Sequence, residues 1–190
     1  MRAVLCKELG MPESLVLEEV PGLIPGPGQV LISVQACGVN FPDTLIIQGK
    51  YQFKPDLPFS PGGEISGVVK QVGSDVDSLK IGDRVIAFST WGGFAEELVV
   101  DQTRTVIISD KMDYERASAF VLTYGTSYHA LKDRAHLREG ETLLVLGASG
   151  GVGLAAIQLG KAMGATVIAA ASNPEKLSAC QENGADYVIN

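Results

Sequence analysis

The chain of 190 residues is poor in the groups that bind metals or form covalent crosslinks. It has three cysteines, Cys6, Cys37 and Cys180, and two histidines, His129 and His136. The cysteines lie far apart and no C-x-x-C pair occurs, which argues against a disulfide framework and against a four-cysteine zinc site. Neither histidine has a cysteine or a second histidine at ligand spacing, so no metal is expected. No apolar run approaches the ~20 residues of a membrane helix, and Met1 to Gly10 has no h-region of a secretory signal. Basic residues are outnumbered, 15 Lys and Arg against 22 Asp and Glu, for a net charge of -7. That balance argues against a nucleic-acid partner or an anionic membrane surface. There is no low-complexity segment, internal repeat or flexible linker. The expectation is a globular, acidic, cytoplasmic protein of one or two domains.

What the chain does have is glycine, 22 residues of it, and one cluster is the most informative feature. Gly147-Ala148-Ser149-Gly150-Gly151-Val152-Gly153 follows the apolar run Leu143-Leu144-Val145-Leu146 and leads into Leu154-Ala155-Ala156-Ile157. Strand, tight turn and helix in that order are the context a dinucleotide-binding fingerprint requires. The helix N-terminus then offers backbone N–H groups and a positive dipole end to a pyrophosphate. The pattern reads A-x-G-x-x-G, with Ala148 at the usual first glycine. Gly150 admits the phosphates and Gly153 admits close helix–strand packing. Ala148, Gly150, Gly151, Val152 and Gly153 are the candidate cofactor-binding residues of this turn.

Two grammars divide the chain. Residues 1 to about 112 are β-rich. Val30, Ile32 and Val34 alternate with Leu31, Ser33 and Gln35, and short apolar runs follow at 65–72, 84–88, 94–100 and 106–108. Turn signals such as Pro61-Gly62-Gly63 and Gly82-Asp83 separate them, which suggests a small barrel or sandwich. From 113 to 190 helices and strands alternate. Asp113 is a candidate N-cap, a second helix is expected over 127–135, and the series strand 142–146, helix 151–163, strand 166–171, helix 174–182, strand 187–189 reads as β-α-β-α-β. That is half of a doubly wound nucleotide fold. Val152, Ala156, Leu159 and Met163 share one face of the first long helix. The all-apolar strand 142–146 reads as covered on both faces.

The end of the second strand bears on the cofactor. A fold of this type that binds NAD places Asp or Glu about 20 residues beyond the glycine motif, on the ribose 2′-hydroxyl. No acid occurs from Gly164 through Pro174; the strand ends Ala171-Ser172-Asn173. Ser172 can donate to a 2′-phosphate and Lys176 can supply charge. NADPH is therefore the expected cofactor.

Taken together, Ala36 to Asp43, Gln48-Gly49-Lys50-Tyr51, Leu57 to Glu64, Gly82 to Val85 and Gly147 to Gly153 resemble the medium-chain dehydrogenase/reductase superfamily. The nearer likeness is to its zinc-independent quinone oxidoreductase, or zeta-crystallin-like, branch. The resemblance implies an α/β protein with a GroES-like β-barrel catalytic domain, here 1–112, followed by an incomplete Rossmann domain, 113–190. It also implies a chain that covers the first part of a longer protein, without the second Rossmann half and the C-terminal return segment. Aligned on these motifs, Asn40 and Gly63 stand where zinc-dependent relatives carry a cysteine and a histidine ligand, which again implies no metal. The implied activity is NADPH-dependent reduction of a quinone or activated enone, and the implied full-length state is a homodimer. Within it Asn40 and Tyr51 would act at the substrate oxygen and Thr126 at the nicotinamide or its ribose. Asp43 and Glu64 would serve positioning roles. An enoyl-thioester reductase of the same superfamily, or a non-catalytic nucleotide-binding fragment, are the competing readings.

Overall fold

The computed structural model describes residues Met1 to Asn190, which form two compact units, Met1–Ala119 and Phe120–Asn190.

In the first unit β1 (Arg2–Leu5) pairs antiparallel with β2 (Val16–Glu19). A five-stranded antiparallel sheet has the order β6-β3-β4-β5-β7. Its strands are β3 (Gln29–Gly38), β4 (Glu64–Val72), β5 (Arg84–Phe88), β6 (Glu97–Asp101) and β7 (Thr105–Ile107). The core lies on one side of this sheet and includes Val30, Ile32, Ile65, Val69, Val85, Leu98 and Val100. The alternation expected along β3 is only partial, because Leu31 is buried together with Val30 and Ile32. β3 is a central strand, flanked by β4 and β6, and its register with β4 shifts between Leu31 and Ile32 and between Val34 and Ala36. Such bulges bend a strand and redirect the side chains after them.

This unit also holds two short helices. α1 (Phe41–Ile46) begins after Asn40, whose backbone is extended, and Asp43 at the third helical position takes the Asn40 N–H at 2.7 Å. α2 (Tyr114–Ala117) starts as expected at Asp113, whose carboxylate accepts from the Arg116 N–H at 2.7 Å. Arg84 of β5 stacks its guanidinium 4.5 Å from the Tyr114 ring centre. It also donates to the carbonyls of Ser109 (3.1 Å) and Met112 (2.6 Å), which closes that loop onto the sheet.

The second unit opens with an irregular helix. A π-helical turn (Val121–Gly125) comes first, and a single α-turn α3 (Thr126–Tyr128) and a second π-helical stretch (His129–Arg134) stand where a regular helix is expected over 127–135. Then come β8 (Thr142–Leu146), α4 (Gly151–Ala162), β9 (Thr166–Ala170), α5 (Pro174–Glu182) and β10 (Tyr187–Ile189). The three strands are parallel in the order β10-β9-β8. α5 begins at Asn173, whose side chain accepts from the Lys176 N–H, and stops before Gly184 at φ +104°.

The face of α4 that packs inward carries Ala155, Ile157 and Gly160, all buried, whereas Val152 is 45% exposed. Gly160 decides this: a side chain there would run into Leu143 of β8 and Val167 of β9, so that side of the helix can sit tightest on the sheet. β8 is not covered on both faces. It lies at the sheet edge, as half of a doubly wound sheet leaves it, and Val145 is buried while Leu144 and Leu146 are 51% and 74% exposed. No helix is long and apolar enough to cross a membrane.

Candidate functional site

In the second unit the glycine turn is built in three steps. Gly147 takes the chain out of β8 at φ +62°, a left-handed conformation that favours glycine. Ala148 is fully buried and gives its N–H to the Ala170 carbonyl at 3.0 Å. It therefore extends the sheet contact, and the tight turn falls on Gly147. Gly150 is extended (φ -79°, ψ 165°), and its carbonyl takes the Leu154 N–H at 2.8 Å as α4 begins. The N–H groups of Gly151, Val152 and Gly153 in the first turn have no acceptor within their own helix.

The two outer glycines of the pattern do different jobs. A Cβ on Gly153 would lie 2.6–2.7 Å from three backbone atoms of Ala148, so the helix approaches the turn more closely than any side chain allows. A Cβ on Gly150 would find nothing nearer than the Gly147 carbonyl oxygen at 3.7 Å. The space before Gly150 is open, as a cradle for a bulky anion requires.

Ser172 and Lys176 come together. The Lys176 ammonium donates to the Ser172 hydroxyl at 3.3 Å, and both side chains are exposed. Leu146 pairs with Ala170 in parallel strands, so this pair stands at the same C-terminal end of the sheet as the glycine turn, where open α/β sheets bind ligands. Thr126 is also carried there. On one side of it, the Thr123 methyl would come within 3.1 Å of a Cβ on Gly151. On the other, the buried Ser127 hydroxyl donates to the Val152 carbonyl at 2.8 Å. Nothing in the sequence singles out Ser127; only a contact across 25 positions of chain gives it a role.

In the first unit, the Asn40 amide donates to Glu64 Oε2 at 3.3 Å. Glu64 is fully buried at the start of β4. Asp43 holds this corner: one carboxylate oxygen takes the Asn40 N–H and the other the Gly62 N–H at 3.2 Å. Burial raises the Asp43 carboxyl above its ordinary range, against the opposing pull of the amides of Asn40, Gly62 and Gly63. Burial, with the Asp43 charge beside it, pushes the Cys37 thiol up to about 12, so Cys37 is a packing residue at neutral pH and not a nucleophile. Tyr51 is half-buried, packed on the cluster of Cys6, Ile46, Ile47 and Phe59, with its ring centre 6.0 Å from that of Phe53. α1 lies between Asn40 and Tyr51 in the chain: Asn40 precedes it and Tyr51 follows the turn closed by Lys50 N–H to Leu45 O.

No group of three or more His, Cys, Asp or Glu side chains is placed to hold a metal ion. His129 is exposed and pairs with Asp133 at 2.9 Å.

Comparison with known proteins gives this geometry a lineage. Residues 26–110 match the family model of the alcohol dehydrogenase GroES-like domain, and residues 151–190 match that of zinc-binding dehydrogenases. Over 193 aligned residues the chain is 45% identical to a quinone oxidoreductase-like protein 2 homolog of Nematostella vectensis, covering all of this chain and 52% of that protein. It is 42% identical to human quinone oxidoreductase, covering all of this chain and 58% of that one. The crystal structure of Escherichia coli quinone oxidoreductase complexed with NADPH superposes with a TM-score of 0.95 at 32% identity, over all of this chain and 58% of that one. The chain thus spans about half the length of the relatives it matches. With both family models in order along it and these relatives aligned from end to end, the chain belongs to the medium-chain dehydrogenase/reductase superfamily, on its quinone oxidoreductase branch.

Proposed function

We propose that this chain carries the cofactor-phosphate and substrate-oxygen residues of a zinc-independent, NADPH-dependent reductase of quinones or activated enones. The observation that carries the reading is the Ser172–Lys176 pair beside the glycine turn, on a strand end with no carboxylate. A carboxylate there would take the ribose 2′-hydroxyl and repel a 2′-phosphate. A hydroxyl and an ammonium attract the phosphate instead. The open space at Gly150 and the first-turn amides of α4 fit the pyrophosphate of the same molecule. The NADPH complex of the Escherichia coli relative supports the choice.

NADPH, when bound, supplies the hydride. The chain's own part is to bind and polarise the acceptor. Negative charge gathers on the acceptor's carbonyl oxygen, and fixed donors at that oxygen lower the barrier. Asn40 has two amide hydrogens; Glu64 takes one, which orients the amide and leaves the other for the substrate. The Tyr51 hydroxyl is the second donor and can deliver a proton. The apolar cluster around its ring holds it in one place. Zinc independence rests on the donor set. Asn40 brings an amide and Gly63 no side chain at all, and the stretch 151–190 holds one cysteine, the buried Cys180, and no histidine.

The test is NADPH oxidation with a simple quinone by a protein that contains this chain within the length its relatives have. Turnover is expected to survive chelators. Tyr51→Phe is expected to lower turnover by on the order of a hundredfold while NADPH affinity changes little. About one zinc per chain by elemental analysis, or unchanged turnover of the Tyr51 variant with several quinones and enones, would overturn the respective assignment.

A further inference from the structure

One hydrogen-bond relay in the second unit has no part in the site described above. The Tyr124 hydroxyl donates to Gln158 Oε1. Gln158 Nε2 donates to Asn183 Oδ1 at 2.6 Å, and Asn183 Nδ2 donates to the Ala179 carbonyl at 2.8 Å. Three elements are tied in a row: the π-helical turn, the outer face of α4 and the last turn of α5.

The relay has only one polarity. Its far end is a carbonyl, which can only accept. Asn183 must therefore turn its amide nitrogen toward Ala179 and its oxygen toward Gln158. Gln158 must in turn present nitrogen to Asn183 and oxygen to Tyr124, and the phenol must donate. Turning any one amide over sets two acceptors face to face. Each group is thus fixed by the next, and the Tyr124 ring is fixed at the end of the row. It also stacks on Phe120, with ring centres 4.8 Å apart and planes at 16°.

The segment at that end has reason to need a tie. π-helical turns are rare, and they cluster at functional sites. This one ends in Gly125, whose backbone is the least restricted of any residue. The very next residue is Thr126, held above the first turn of α4 by its neighbours Thr123 and Ser127.

We propose that Gln158 is a positioning residue for the nicotinamide end of the cofactor. It anchors the Tyr124 turn to the α4–α5 pair and so sets where Thr126 stands over the helix that binds the pyrophosphate. The proposal rests on the NADPH reading above. It assigns Gln158, Tyr124 and Asn183 no contact with the cofactor; they act through Thr126.

The 190-residue chain itself provides the test, with two ligands. NADPH spans the phosphate site and reaches the Thr126 segment. 2′,5′-ADP carries only the adenosine phosphates. Two variants break the relay at the Tyr124 hydroxyl: Tyr124→Phe keeps the stack on Phe120, and Gln158→Leu keeps most of the side-chain volume but has neither an acceptor for Tyr124 nor a donor for Asn183. In both, the Kd for NADPH is expected to rise about fivefold, the effect of one net hydrogen bond, while the Kd for 2′,5′-ADP stays unchanged. Amide hydrogen exchange over 121–126 is expected to quicken while that of β9 does not change. Equal weakening of both ligands would show that the relay only supports the fold, and no change in either would show that it does nothing; both results overturn the proposal. Failure of the unsubstituted chain to bind either ligand would instead refute the NADPH reading, and the proposal would fall with it.

Discussion

Exchanging the two outer glycines of the turn for alanine should separate folding from binding. At Gly153 the new methyl would sit 2.6 Å from the Ala148 carbonyl oxygen and 2.7 Å from two further backbone atoms. None of these is the free end of a flexible side chain. Bringing the closest pair to ordinary contact needs a relative shift of roughly 0.8 Å between α4 and the turn, and overpacking on this scale costs about 1–3 kcal/mol. The better helix propensity of alanine returns at most ~1 kcal/mol. Because the clash is with backbone, the cost lies in the upper part of that range, and Gly153→Ala should be destabilised by about 1–2 kcal/mol, which moves a urea midpoint down by roughly 0.5–1 M. At Gly150 the backbone is one any residue adopts, and the methyl meets nothing closer than 3.7 Å. The gain in chain stiffness and the small loss at a helix N-cap nearly cancel, to within about 0.5 kcal/mol. That methyl instead fills the open cradle, and NADPH affinity should fall by at least about tenfold, or ~1.4 kcal/mol. Urea unfolding and NADPH titration of both variants decide it. A Gly150→Ala chain that binds normally, or a Gly153→Ala chain as stable as the parent, would refute the reasoning.

Further outcomes follow from other parts of the structure. Arg84→Lys should lose about 1–2 kcal/mol in urea unfolding, because one ammonium cannot stack on Tyr114 and also reach the carbonyls of Ser109 and Met112; an unchanged midpoint would count against it. The Asp186 carboxyl is held below its ordinary range, first by its hydrogen bond from Lys161 and then by the Val167 N–H. Its contribution is complete above the unfolded value of about 3.9 and is lost as pH falls through the lower folded one. Asp186→Asn should thus be less stable at neutral pH and should lose less stability on acidification below about pH 4; parallel stability–pH curves would contradict this. The 190-residue chain should self-associate along β8, whose edge is unpaired and whose Leu144 and Leu146 are exposed. Light scattering after size exclusion should show association relieved by Leu146→Lys, and a monodisperse parent monomer at high concentration would contradict it.

The parts of the fold that were legible in sequence are those set by local chemistry. β8, α5 and β10 fall at the expected residues because an apolar run, a Pro174 start behind Asn173 and a Gly184 stop are all short-range signals. α1 is hard to read from sequence although Asn40, Pro42 and Asp43 form an N-terminal signature, because its six residues are too few to show a helical period. The π-helical turns at 121–125 and 129–134 leave no such mark, since closing each hydrogen bond one residue further along scarcely alters a 3.6-residue pattern over so short a length. Strand 94–100 begins later than its apolar run because Phe94 gives its N–H to Pro61 and its carbonyl to Val4, partners far away in the chain. The candidate site divides in the same way. The glycine turn and the acid-free end of β9 are sequence-local. The Asn40–Glu64 bond, the Ser127–Val152 bond and the Tyr124–Gln158–Asn183 relay join residues that nothing in the sequence pairs.

The central claim, that the end of β9 selects a 2′-phosphate, is tested most directly by titrating the chain with NADPH and NADH side by side, before and after Ala171→Asp. The parent should bind NADPH at least about tenfold more tightly than NADH, a difference of ~1.4 kcal/mol. The variant places a carboxylate beside Ser172 and Lys176 and should bring the two affinities together or reverse them. Equal affinities in the parent, or a variant that keeps the parent's preference, would contradict the account.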